Sequence, residues 1–398
     1  MVKVFITDAE AGRIPLNVVR SLGRKGIKVI VGGSMHFAPA YFSRYCSKKV
    51  IYPSIKDNFQ AFKQFMLHFV QKEKPDFIFP ILNESVDFFS KYKDRFSPYS
   101  HIPFAEYPTM EKALDKEKTL RLAESIGIPM PKTFYPEEES DLEDISSQLT
   151  FPVMMKPKKS YGSFGVTICH SKEELVNNFK KLTTTYGTPL VQEYIPSGGD
   201  AIGVSCLFNY EHEPRVVFIH RRLREFPPHG GPSTLRESIQ DPAAKEIAIK
   251  LLKKLKWIGV AMVEFKYDPR DHLPKLMEIN PRFWGSLSLP MFSGVDFPYL
   301  LYKMANDGDV EEVKDYPLGI KSRWIGGDFL YLLKVKNKLK FLPTFFKLGD
   351  KKTFCEDFVG DDILPSISRI LSAFYVFDKK VRDKVFGRGF SRKYRDRC

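Results

Sequence analysis

Two acidic residues stand inside apolar runs, Glu264 in Val263-Glu264-Phe265-Lys266 and Glu278 in Met277-Glu278-Ile279-Asn280-Pro281-Arg282. A carboxylate is seldom buried unless it is paired or holds a cation. On neighbouring strands, these two acids and the Asn280 amide oxygen make a hard oxygen set. It suits Mg²⁺, with Mn²⁺ as the alternative ion, sharing oxygens with a nucleotide. The competing reading, two edge-strand acids facing water, leaves the pairing and the Asn-Pro-Arg run without a role.

Two further runs could complete such a site. Phe151-Pro-Val-Met-Met-Lys156 reads as a strand ending in a lysine. It leads into a loop containing Ser160, Gly162, Ser163 and Gly165. Glycines and serines let backbone N–H groups converge on an anion, and a strand-end lysine adds a point charge for phosphate. In Gln192-Glu193-Tyr194-Ile195, a strand ends in a turn with Asp200 just beyond it. Backbone at Glu193 to Ile195 can read an adenine edge, and the Asp200 carboxylate can hold ribose hydroxyls.

Elements must position these groups. Val2–Thr7, Ile27–Val31 and Phe77–Phe79 read as short buried strands, and Ile14–Leu22 and Phe59–Val70 as helices between them. This alternation predicts a parallel, doubly wound sheet, which binds ligands at the carboxyl ends of its strands. The loops Asp8–Arg13 and Asn83–Ser85 belong on that edge. A charged helix is expected over Thr109–Ile126, and an acidic surface connection over Pro131–Leu149. Strands are then expected at 152–156, 165–169, 190–194, 202–209 and 215–220, with a helix over 172–183. The Asp241-Pro242 cap starts a helix running to Lys256, and strands follow at Ile258–Tyr267 and Pro274–Ile279.

Taken in order, Asp115-Lys116, the strand lysine Lys156, the Gly/Ser loop, Gln192-Glu193-Tyr194-Ile195, Glu264 and the Glu278–Arg282 run resemble the ATP-grasp superfamily. The likeness is nearest to its carboxylate–amine ligase (carbamoyl-phosphate-synthetase-like) branch, partly through His229-Gly230-Gly231-Pro232-Ser233. It implies an α/β fold with a Rossmann-like pre-ATP-grasp domain over 1–108. A two-lobed α+β ATP-grasp domain follows over 109–310, its small lobe at about 130–195, then a basic, partly helical extension over 311–398. It further implies Lys116 and Lys156 on the α- and β-phosphates, although Lys118 competes with Lys116. Ser160–Gly165 would cover the triphosphate, Glu193 and Ile195 would meet adenine, and Asp200 the ribose. Glu264, Glu278 and Asn280 would hold magnesium, with Arg282 at the γ-phosphate or acyl phosphate. The implied activity is an ADP-forming ligase: a carboxylate becomes an acyl phosphate and an amine attacks it. Two alternatives share the ATP site: a bicarbonate- or carbamate-phosphorylating enzyme, and a non-catalytic ATP-binding regulatory protein.

Substrate contacts are expected from Arg222 and Arg224, whose guanidinium forks suit carboxylates, and from the loop His229, Gly230, Gly231 and Ser233. Arg13 and Glu84 are further candidates, with a stabilising ion pair as the competing role. No Ser/His/Asp or Cys/His arrangement suggests a protein nucleophile.

Composition bounds the rest. No apolar run of the 398-residue chain reaches the roughly 20 residues a spanning helix requires, and the N-terminus reads as a strand rather than a secretory signal. Five scattered cysteines form no C-x-x-C pair, which predicts a reducing cytoplasm without structural zinc or disulfides. Of the net charge of +14, half lies between Lys379 and Arg397, where nine Lys or Arg face two Asp. That tail follows the Phe-, Leu- and Lys-rich stretch Asp328–Leu348 and the apolar segment Ile363–Phe377. Such a region can meet an anionic inner membrane face, a second copy of the chain, or the protein's own body. Nucleic acid is not expected, because the rest of the chain is only mildly basic.

Overall fold

Short β-branched and aromatic runs separated by amphipathic helices open the computed structural model, which describes residues 1–160, 164–227, 231–335, 338–346 and 351–374. Strands β1 (Lys3–Ile6), β2 (Lys28–Gly33), β3 (Cys46–Ile51) and β4 (Phe77–Phe79) form a parallel sheet in the order β3-β2-β1-β4. Helices α1 (Arg13–Arg24) and α2 (Phe59–Glu73) connect them, and the Asn58 side chain caps α2 by accepting from Ala61 N–H at 3.0 Å. Edge strand β3 escaped the sequence reading because Ser47, Lys48 and Lys49 at its centre are exposed. The phenylalanines fill this unit: Phe62, Phe88, Phe89 and Phe96 are buried and meet edge-on or tilted.

Helices α3 (Asn83–Lys91), α4 (Lys93–Phe96), α5 (Tyr107–Leu114) and α6 (Lys116–Ser125) follow. The single helix expected over Thr109–Ile126 is therefore two. Asp115 is extended, and its Oδ1 accepts the N–H groups of Glu117 (2.9 Å) and Lys118 (3.3 Å). It acts as an N-cap, so a new helix starts at Lys116.

A second, antiparallel sheet contains β5 (Thr133–Phe134), β6 (Val153–Lys156), β7 (Thr167–Cys169) and β8 (Leu190–Glu193) in the order β5-β8-β6-β7. Helices α7 (Asp141–Gln148) and α8 (Lys172–Tyr186) cover it through Leu142, Ile145, Leu175 and Phe179. The surface connection expected over Pro131–Leu149 thus contains an edge strand and a packed helix. Leu142 and Ile145 supply the apolar stripe beneath its acidic face. The expected strand at 165–169 is shortened because Gly165 takes a positive φ of 74°.

The third sheet has seven strands in the order β13-β12-β9-β10-β11-β14-β15. They are β9 (Ala201–Phe208), β10 (Pro214–Glu225), β11 (Ser233–Ile239), β12 (Gly259–Tyr267), β13 (Pro274–Asn280), β14 (Lys321–Arg323) and β15 (Thr353–Cys355). All neighbours are antiparallel except β14 and β15. The strand expected at 215–220 continues to Glu225, which places Arg221, Arg222 and Arg224 on a strand. Ser233, expected in a loop, opens β11. Helices α9 (Pro242–Lys254), α10 (Ser288–Phe292), α11 (Phe297–Asp307), α12 (Ile325–Lys334), α13 (Lys338–Phe346) and α14 (Leu364–Phe374) complete the described chain.

The segment after Lys321 is stitched to the large sheet and to α1. It adds β14 and β15 to the large sheet, and ion pairs tie it to α1: Arg20 to Asp362 (2.9 Å) and Arg24 to Asp361 (2.6 Å). Among the described residues no helix is long and apolar enough to cross a membrane. The basic run Lys379–Arg397 lies outside the described residues.

Candidate active site

Glu264 on β12 and Glu278 on β13 are cross-strand partners on the large sheet. Antiparallel pairing puts directly opposed side chains on one face, so the register brings the two carboxylates together. The Asn280 amide nitrogen bridges them, at 3.0 Å from Glu264 Oε1 and 3.5 Å from Glu278 Oε1. Cations compensate the pair from both sides. Arg222 on β10 forms an ion pair with Glu264, and Lys116 lies 3.1 Å from Glu278 Oε2. Burial raises the Glu264 carboxyl above its ordinary range. Burial also opposes the Glu278 charge, but Lys116, and then Lys156, outweigh it and hold that group below its ordinary range.

Lys116 spans two parts of the site. Besides Glu278 it donates to the Ser160 carbonyl at 2.6 Å and to Ser160 Oγ at 3.4 Å. It owes this place to the Asp115 cap, which turns the first residue of α6 inward. Lys118 points away and pairs with Glu111 at 2.9 Å. Lys156, at the end of β6, is buried and donates to Gln192 Oε1 at 2.6 Å. Burial brings its ammonium down to about 8, against the pull of Glu278. Gln192 in turn donates to Thr133 Oγ1 at 2.8 Å, so its side chain fixes the lysine.

Arg282 follows the acids and is also buried. Its Nε donates to Asn83 Oδ1 at 2.5 Å, Nη1 to the Phe283 carbonyl at 2.8 Å and Nη2 to Asn280 Oδ1 at 3.0 Å. Phe283 and Trp284, which come next, are fully buried packing residues.

The remaining candidates lie in different surroundings. Glu193 directs its carboxylate to Arg270 at 2.6 Å, while the Ile195 carbonyl accepts from Lys266 Nζ at 2.8 Å. The Tyr194 ring lies 5.6 Å from the same ammonium. Asp200 is more than half exposed, with Arg221 3.5 Å away. Arg224 does not join Arg222: a bulge shifts the register between them, and Arg224 pairs with buried Asp328 of α12 at 2.7 Å. Glu84 pairs with Lys56 at 2.7 Å, and Arg13 with Glu356 next to β15, so both make the ion pairs that were the competing role. The Gly231 carbonyl accepts from Arg222 at 3.4 Å, and Ser233 from buried Arg236 through its carbonyl at 2.9 Å. Gly162, Ser163, His229 and Gly230 lie outside the described residues.

Sequence reasoning gave no role to Lys266 or His220, and it placed Asn83 on the ligand edge without naming its partner. A period-two count from Glu264 would have found Lys266, which shares its face. Nothing local marks the partner of Asn83, because it is 199 residues away. His220 occupies the same sheet row as Glu264, across Gly203. A Cβ on Gly203 would approach the imidazole to 2.3 Å, so glycine makes the room there. Burial, followed by Arg222 and Arg236, lowers the His220 imidazole to about 3. Above pH 6.5 folded and unfolded imidazoles are both neutral. Below it the unfolded chain takes a proton that the folded chain refuses, so stability falls as pH drops. The loss should reach about 2 kcal/mol by pH 5. His220→Gln is expected to flatten urea-unfolding stability between pH 6.5 and 5; an unchanged slope would place the titration elsewhere.

A family model described as ATP-grasp in the biosynthetic pathway with Ter operon matches residues 185–327, and one described as D-ala D-ala ligase C-terminus matches residues 122–225. The chain is 26% identical over 272 residues to a D-aspartate ligase of Enterococcus faecium, covering 63% of this chain and 64% of that one. It is 28% identical over 150 residues to a D-alanine–D-alanine ligase of Fusobacterium nucleatum, covering 36% and 46%. A carbamoyl phosphate synthase large chain of Pyrococcus furiosus is 23% identical over 228 residues, covering 53% and 21%. The chain thus spans less than two thirds of the length of each of these relatives.

Solved structures share the fold. The biotin carboxylase domain of Hydrogenobacter thermophilus 2-oxoglutarate carboxylase superposes with a TM-score of 0.67 at 16% identity, covering 80% of this chain and 73% of that one. An L-amino acid ligase of Bacillus licheniformis gives 0.62 at 18% identity, covering 77% and 74%. The solved structures share the fold, and the two matching family models, which together span residues 122–327, make this chain a member of the ATP-grasp superfamily.

Proposed function

We propose that the protein is an ADP-forming ligase that activates a small carboxylate as an acyl phosphate for attack by an amine. The observation that carries this reading is the meeting of Glu264, Glu278 and Asn280 with Lys116, Lys156 and Arg282 in one place, drawn from two sheets and the helix between them. A carboxylate is a poor electrophile and repels a triphosphate, so cations must screen both before in-line transfer. The names of the curated relatives, D-aspartate ligase and D-alanine–D-alanine ligase, support the same class of reaction.

The donor set fits magnesium. Two carboxylates and one amide make an incomplete oxygen shell, as expected for an ion that takes its other ligands from phosphate and water. Among the described residues no group of three His, Cys, Asp or Glu gathers as an all-protein cage. As placed, Asn280 turns its nitrogen to the acids and its oxygen to Arg282; a half-turn of the amide would offer the oxygen to the ion and release Arg282 Nη2 alone. When bound, Mg²⁺ would polarise the phosphate oxygens and neutralise their charge. Lys116 and Lys156 would hold α- and β-phosphate oxygens, and the run Ser160–Gly165, part of which lies outside the described residues, would cover them. Backbone at Glu193–Ile195 would receive adenine, with Lys266 bracing the Ile195 carbonyl, and Asp200 would meet the ribose. Arg282 would face the group in transfer. Arg222 offers a carboxylate contact on the same face, while Arg224 is given over to Asp328.

The test is release of ADP and phosphate from Mg-ATP across a matrix of carboxylates, with and without amines. Release that needs both partners supports the ligase and names its substrates. Release with bicarbonate alone would assign a bicarbonate-phosphorylating enzyme, and AMP in place of ADP would overturn the acyl-phosphate route.

A further inference from the structure

The carboxyl edge of the parallel sheet holds a buried acid for which the reading above has no use. Asp8, directly after β1, is nearly inaccessible and sits in the left-handed region at φ 59°. A non-glycine residue keeps that conformation only where its surroundings over-determine it. Here the surroundings are donors. The carboxylate accepts from Leu82 N–H (2.9 Å), Ile81 N–H (3.3 Å), Ser85 Oγ (2.8 Å) and Thr7 Oγ1 (2.6 Å). The Tyr52 hydroxyl secures the other side, donating to Oδ1 at 3.3 Å and accepting from Asp8 N–H at 2.7 Å. Ile81, Leu82 and Ser85 flank Asn83, the first residue of α3. Because β1 and β4 are neighbours in the sheet, the loops that follow them share one edge.

Asn83 uses this fixed position to reach out of its own unit, and its Oδ1 accepts from Arg282 Nε at 2.5 Å. The Arg282 fork is then gripped by neutral oxygens of three residues, Asn83, Asn280 and Phe283. Asn83 and Phe283 hold Nε and Nη1 whichever way the Asn280 amide turns, and this fixes the plane of the guanidinium.

We propose that Asn83 is a positioning residue for Arg282, clamped by Asp8, so that the edge of the N-terminal sheet sets the aim of the arginine at the terminal phosphate of a bound nucleoside triphosphate. The inference rests on the nucleotide reading above. It goes beyond that reading by giving the N-terminal unit a direct part in recognising the phosphate.

The two readings separate by calorimetry on the full chain, with Mg²⁺ and either ADP or a non-hydrolysable ATP analogue. Asn83→Ala is expected to weaken the analogue about 10-fold, the scale of one hydrogen bond to a charged group, and to leave ADP within about twofold. Asn83→Gln keeps a neutral amide oxygen and is expected to recover part of the preference for the analogue. Asp8→Asn should act in the same direction, and adding it to Asn83→Ala should cost nothing more, since both interrupt one chain of contacts. Equal loss of both nucleotides in Asn83→Ala would mean a merely structural role and overturn the proposal, as would failure of Asn83→Gln to recover any of the preference. Wild-type protein that binds neither nucleotide would remove the reading above and this inference with it. Normal wild-type binding with an unaltered Asn83→Ala profile overturns the inference alone.

Discussion

Glu278→Gln is expected to lower ADP release by about 1000-fold or more, about 4 kcal/mol of transition-state stabilisation. Two losses combine. The amide is a far weaker ligand for a hard divalent ion than the carboxylate it replaces. It also leaves Lys116, at 3.1 Å, and buried Lys156 without the charge that balances them. Both lysines would then draw on the phosphates alone, in positions no longer set by the acid. The change is nearly isosteric, so thermal melting and circular dichroism should show a folded protein. Turnover is measured with the carboxylate and amine pair that drives release in the wild type. Activity within about tenfold of wild type would sink the assignment of Glu278 to the ion, since even outer-shell partners of metal ligands typically cost 10–100-fold.

Glu356→Gln carries the largest expected effect on stability, about 3–5 kcal/mol of destabilisation. Glu356 follows β15 and is buried between Arg13 of α1 and Arg236 of β11, the latter at 2.6 Å, with Ser288 Oγ donating at 2.7 Å. Burial opposes its charge, but Arg13 and Arg236 together bring the carboxyl down to about 2. The contribution is therefore present above the ordinary carboxylate range and is lost as pH falls through it toward 2. Glutamine keeps the shape and removes the charge, leaving two guanidinium groups in the interior without the carboxylate between them and with one amide oxygen in its place. The measurement is the urea or thermal midpoint of the variant at pH 7. A midpoint within error of wild type would show that the buried network contributes nothing net, which is the alternative outcome for buried ion pairs. The same network joins the parallel sheet, the large sheet and the segment after Lys321. Protease cleavage in 325–357 should accelerate along with the drop in midpoint.

Much of the architecture was legible before any coordinates. Alternating strand and helix signals over the first hundred residues led to the parallel sheet, because period-two and period-3.6 patterns are local. The acids Glu264 and Glu278 stood out for the same reason, since a charge inside an apolar strand breaks its pattern. Misreadings arose where a local signal was weak or divided. Polar β3 resembles a loop. Asp115 reads as one more charge in a helix until its side chain caps the next one. β11 follows a Gly- and Pro-rich run of sequence that hides where pairing resumes.

The sequence by itself determined which residues could do chemistry here and the strands that carry most of them. Residue type and short-range spacing suffice for both. Only the tertiary structure decided how those residues are shared out. Arg222 goes to Glu264 and Arg224 to Asp328, because one bulge in β10 shifts the register between them. Lys116 rather than Lys118 faces the acids, because the Asp115 cap sets the phase of α6. Arg282 is held by Asn83, 199 residues earlier in the chain. Pairings of this kind depend on register, helix phase and the docking of one sheet against another. Each is a long-range quantity, set by the burial of whole faces, and no short window of sequence contains it.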